Sequence, residues 1–126
     1  MRRRIALVPV LAIAIAGLSG CVPADGPIAV RPATGANEDA LLQGILRIEE
    51  DCVWVQAGDE VYVPVFEIGG ARIEGGDTLV YGNRYVDGDD IELPGGEAQK
   101  PGADWYLPAR CPDVRLWAAG PPLRPS

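Results

Sequence analysis

Cys52-Val53-Trp54-Val55-Gln56-Ala57-Gly58-Asp59-Glu60-Val61-Tyr62-Val63-Pro64-Val65-Phe66-Glu67-Ile68 decides the fold. Two runs rich in β-branched and aromatic residues flank Gly58-Asp59, and together they predict a hairpin. The first strand is expected over Cys52 to Gln56 and the second over Glu60 to Ile68. The second has two apolar faces: Val61, Val63 and Val65 alternate with Tyr62, Phe66 and Ile68. Such a strand is covered on both sides or strongly curved. Pro64 brings no N–H to a ladder, so an edge or a bulge is expected there.

Working outward, Leu42, Gly44, Leu46 and Ile48 alternate with Gln43, Arg47 and Glu49, the period of another strand. A helix starting at Asn37 as N-cap, with Glu38 and Asp39 in its first turn, competes. Gly44 in its middle weighs against that by about 1 kcal/mol. Further short strands are expected over Thr78 to Tyr81, Arg84 to Asp87, around Ile91 and Leu93, and over Val114 to Ala118. Gly/Asp turns separate them, and Ala71 to Glu74 forms a short bracketed segment. From Leu93 to Pro112 the chain reads as a long loop broken by Pro94, Gly95-Gly96, Pro101-Gly102 and Pro108. The expectation is an all-β domain: a small closed or partly open β-barrel of five to seven short strands, resembling an OB-like barrel in strand number and length.

The first 21 residues have a different character. Arg2, Arg3 and Arg4 precede 14 apolar or small residues, Ile5 to Leu18, and the stretch ends in Leu18-Ser19-Gly20-Cys21. A basic start, a short apolar run and small residues before a cut are the parts of a secretory signal. The run is shorter than the roughly 20 residues that span a bilayer, and Pro9 interrupts it. The small pair directly before Cys21 resembles the lipobox of bacterial lipoproteins. The resemblance covers residues 1–21 only. It implies a diacylglycerol on the sulfur of Cys21 and cleavage that makes Cys21 the new N-terminus, against an ordinary cleaved signal or an uncleaved anchor. Ten arginines to one lysine, with abundant Ala, Gly, Pro and Val, resemble the usage of GC-rich genomes such as those of actinobacteria.

This reading divides the chain into a signal (1–20), a lipidated cysteine and disordered tether (21–37), a β-domain (38–119) and a disordered tail (120–126). The tether, with Pro23, Pro27 and Pro32, would hold the domain up to roughly 50 Å from the membrane. Cleavage removes three arginines, leaving 8 basic against 18 acidic residues in the remaining 106. So acidic a surface repels nucleic-acid phosphates and anionic headgroups, so acyl chains must do the anchoring. With Cys21 assigned to lipid, Cys52 and Cys111 remain; in an oxidising exported compartment an even pair reads as a disulfide. Two free thiols or a redox-active pair are the alternatives, although reactive dithiols are usually close in sequence.

Catalytic residues are scarce. The chain has no histidine, and its only serines are Ser19 and Ser126. A Ser-His-Asp or Cys-His site cannot be assembled from it. Lys100 is the sole lysine and sits in the Pro/Gly-rich loop. No cofactor is expected and no enzyme is read. The acidic run Asp87, Asp89, Asp90 and Glu92 is a weak candidate for calcium. It fails as an EF-hand loop, with Glu92 at the glycine position and Ala98 at the bidentate glutamate position. An Asp-Gly turn with outward charges accounts for the same residues.

Trp105-Tyr106, in the long loop, form the candidate binding residues, because exposed aromatics there would stack on glycan or anchor a protein. The competing arrangement has them close one end of the barrel, pinned by Cys111. The functional expectation is a lipid-anchored, extracytoplasmic, non-catalytic domain that binds a cell-envelope protein or glycan and no nucleic acid. A carboxylate-based ion-binding accessory or envelope enzyme is the second expectation.

Overall fold

A computed structural model describes residues 25–33 and 39–123. Nine strands are formed among them: β1 (Ala29–Arg31), β2 (Ala40–Ile48), β3 (Val53–Ala57), β4 (Glu60–Glu67), β5 (Arg72–Glu74), β6 (Thr78–Tyr81), β7 (Asn83–Val86), β8 (Asp90–Ala98) and β9 (Arg115–Ala119). β4, β3, β2, β8 and β9 pair in that order, and β9 pairs back onto β4, which closes a five-stranded barrel. Every seam is antiparallel except β4–β9. In chain order the barrel strands run first, second, third, fifth, fourth around the ring, so the barrel is OB-like. Closure leaves no free edge between barrel strands. The strand over 40–48, not a helix, follows the apolar alternation, with Leu42 and Leu46 buried.

The hairpin explains why β4 is apolar on both faces. Tyr62, Phe66 and Ile68 turn into the barrel and join Leu46, Val53, Val55, Leu93 and Trp117. Val63 and Val65 turn outward into a second apolar cluster with Ala29, Cys52 and Leu116. β3 and β9 alternate in the same way, Val53, Val55 and Trp117 inward, Cys52, Trp54 and Leu116 outward. Pro64 lies inside the strand rather than at an edge. It falls where β4 loses β3, registered at Glu60 to Tyr62, and gains β1, registered from Val65, so the missing N–H coincides with a break in the flank.

β5, β6 and β7 form a separate three-stranded sheet. It lays Leu79 and Tyr81 into the barrel core, with Tyr81 tilted against Phe66 at 5.1 Å between ring centroids. Glu74 receives Arg72 from its own strand and Arg84 across the sheet from β7, and the two hydrogen bonds hold its carboxyl below the usual carboxylate range.

Two boundaries differ from expectation. β8 runs on to Ala98, straight through Pro94-Gly95-Gly96. Gly95 is registered to Ala40 on one side and Ala119 on the other, at a φ of 146°, and a Cβ there would fall on the Ala118 carbonyl. The glycine therefore carries a strand through a tight double seam and ends nothing. The assumed tether also shrinks. Ala29–Arg31, placed in it by sequence, form β1, parallel to β4 and buried at all three positions. Arg31 is neutralised at depth: its guanidinium donates to the Ala119 carbonyl at 3.0 Å and lies 3.6 Å from Glu67. Residues 1–24, 34–38 and 124–126, including the Cys21 site, lie outside the described residues.

Candidate functional site

The connection from β8 to β9, residues 99–114, folds back over the outer face of the barrel. Turns hold its path: Trp105 N–H donates to the Gly102 carbonyl at 3.2 Å, and Cys111 N–H to Pro108 at 3.1 Å. Cys111 is then bonded to Cys52 at the start of β3, with the Cα atoms 5.0 Å apart. The bridge spans 59 residues and ties the far side of the loop to the barrel wall. Asp51 and Arg110 approach to 3.8 Å beside it, too exposed to add much.

Trp105 and Tyr106 lie in this loop and both are half-buried. Trp105 packs with Leu107, Cys111 and Val114 against the outer apolar cluster of Val63, Val65 and Leu116. Its indole lies over Gly102, where a Cβ would meet Nε1 at 2.8 Å. Tyr106 exchanges two backbone hydrogen bonds with Val30, at 2.8 and 3.0 Å, and its hydroxyl donates to the Gly26 carbonyl at 2.7 Å. Burial pushes the Tyr106 phenol up, and Asp25 adds to the shift. Both aromatics are thus engaged within the chain. Neither closes an end of the barrel: Trp105 packs on its outer face and Tyr106 against β1, with part of each side chain still exposed.

What the loop leaves open is a cleft of about 410 Å³ between itself and the barrel. Val63 and Leu116 come from the barrel wall, and Leu107, Pro108 and Val114 from the loop. Lys100 and Asp113, both exposed, are the titratable side chains among its lining residues. The volume falls within the range of small-ligand sites, and the composition, apolar with two opposite charges, matches theirs. It offers shape, apolar contact and one charge of each sign for orientation. Cys111 also lines it, but bonded to Cys52 it is no nucleophile. Sequence reasoning noticed Lys100 but not the cleft, whose walls come from β4, β9 and the loop.

Three carboxylates of the acidic run are hydrogen-bonded within the chain, two of them to backbone. Asp87 accepts the Ile48 N–H at 2.8 Å and the Arg47 Nε at 3.0 Å, and these hold its carboxyl below the usual range, the backbone bond most strongly. Asp89 accepts the Val86 N–H at 2.8 Å, and Glu92 accepts from Gln43 at 2.9 Å. Asp90 begins β8 opposite Ile45. Among the described residues no three carboxylates or cysteines gather in a group able to hold a metal ion.

In barrels of this type the outer face of the second and third strands is the usual surface for oligonucleotides and oligosaccharides. Here those strands are β3 and β4, and β1, the loop and the disulfide cover the residues Cys52, Val63 and Val65 on that face. No family model, no curated protein and no solved structure matches the chain.

Proposed function

We propose that this chain is a lipid-anchored extracytoplasmic domain that recognises a cell-envelope component and performs no catalysis. One observation carries the anchoring. The disulfide uses Cys52 and Cys111, so Cys21, directly after Leu18-Ser19-Gly20, is the single remaining cysteine. A bridge between distant cysteines also suits an oxidising compartment outside the cytoplasm. Two acyl chains on Cys21 would bind stably where one binds marginally, at about 0.8 kcal/mol per buried CH₂.

For recognition, the cleft under the β8–β9 loop replaces the two aromatics as the surface of choice. Its apolar walls suit an apolar group on a protein or glycan partner, with Lys100 and Asp113 fixing orientation. A chain without histidine, whose cleft holds one lysine and one aspartate, offers little for acid–base or nucleophilic chemistry. The test replaces Cys21 with serine in the producing cell and follows a radiolabelled fatty acid. Wild-type protein should carry label and sediment with membranes, and Cys21→Ser should carry none and persist as precursor. Labelled Cys21→Ser protein would refute anchoring at that residue.

A further inference from the structure

Chain geometry limits how far such an anchor lets the domain travel. The Pro27 carbonyl accepts the Val53 N–H at 3.1 Å, and Ile28 is buried in the barrel core. Gly26 is held by the Tyr106 hydroxyl. Residues 27–31 are therefore part of the folded body, with β1 fixed between β4 and Tyr106. Cys21 lies six residues before Pro27. A fully extended chain covers at most 3.3–3.6 Å per residue, so those six reach about 20 Å. That is less than half of the 50 Å that a tether running to residue 37 would allow.

Resting on the acylation of Cys21 proposed above, we infer that the domain is held against the membrane surface, with the flank of Pro27, Gly26 and Tyr106 turned toward the bilayer. The opposite flank of the barrel is set by topology. The ring order β4, β3, β2, β8, β9 places β8 across from the β3–β4 side where β1 is seated. Glu92, exposed on β8, faces away from the membrane. Charge does not provide the attraction, since Asp25 and Asp104 lie on or near the membrane-facing flank of an acidic protein. The leash holds the domain against a repulsion that salt screens beyond about 8–10 Å. A domain so held meets its partner at the membrane surface.

The test uses the lipidated full-length protein in phosphatidylethanolamine/phosphatidylglycerol vesicles that carry a rhodamine-labelled lipid. With Cys52 and Cys111 bonded, one added cysteine takes a donor dye, at exposed Ala109 in the loop (Ala109→Cys) or at Glu92 (Glu92→Cys). Energy transfer to the lipid should be at least twofold greater from position 109 than from position 92. Inserting 30 Gly/Ser residues between Val22 and Pro23 should lower transfer from both and erase the difference. Equal transfer from the two dyes without the insertion, or no effect of the insertion, would overturn the inference in a protein that co-floats with vesicles. A protein that fails to co-float and lacks acyl chains would overturn the anchoring at Cys21, and this inference with it.

Discussion

Tyr106 and Val30 lie 76 residues apart in the chain and exchange a pair of backbone hydrogen bonds at 2.8 and 3.0 Å. Through that pair the β8–β9 loop holds β1 against β4, and the start of the domain is fastened to its last connection.

Breaking the pair should loosen both partners. Val30→Pro removes one donor and leaves the Tyr106 carbonyl without it, at an expected cost of about 1–3 kcal/mol. Amide exchange at Ile28, Ala29 and Arg31 should accelerate in this variant, while Leu46 and Leu93 in the barrel stay protected. Trp105→Ala with Tyr106→Ala should destabilise the domain by more, because the indole belongs to the outer apolar cluster. Denaturant unfolding reads both effects. An unchanged midpoint in the double variant would show that the loop closes without its aromatics.

Replacing Cys52 and Cys111 together by serine removes a crosslink over 59 residues. Chain entropy assigns such a loop roughly 4 kcal/mol, a large part of the stability of a domain this small. The thermal midpoint should fall by about 15–30 °C, or the domain should fail to fold at growth temperature. A native exported protein in which a thiol probe labels both cysteines without reduction would contradict the bridge.

Tyr81 gives the fold a dependence on alkaline pH. Its hydroxyl donates to the Gly120 carbonyl at 2.6 Å, and burial raises its pKa far above the ordinary value. A raised pKa in the folded state stabilises the protonated form. The contribution is fully present below about pH 10, where the unfolded tyrosine is also neutral, and declines as pH rises beyond that value. Unfolding free energy followed from pH 8 to 11.5 should therefore drop in wild type. Tyr81→Phe should be less stable at neutral pH by about 1 kcal/mol and drop less steeply. Parallel slopes would remove Tyr81 as the cause.

Much of this fold was legible because it is written in local alternation. The two apolar faces of β4, the Gly58-Asp59 turn and the strand over Thr78 to Tyr81 all follow from period-two patterns and turn residues. The bridge followed from the arithmetic of three cysteines. Features that depend on distant partners were not legible. β1 is three residues long, and its pairing with Val65 to Glu67 and the Arg31 contact with Ala119 leave no local trace. Gly95 looks like a loop residue until Ala118 and Ala119 are placed beside it. Trp105 and Tyr106 read as exposed in a Pro/Gly-rich segment because what covers them, β1 and the outer faces of β4 and β9, comes from elsewhere. The cleft was invisible for the same reason.

Anchoring at Cys21 is the claim on which localisation, leash and partner all depend, and mass spectrometry of the mature N-terminal peptide from isolated membranes tests it most directly. The account predicts a peptide that begins at Cys21 and carries a diacylglyceryl thioether, with nothing from residues 1–20 attached. A mature chain that begins elsewhere, or at an unmodified Cys21, would contradict it.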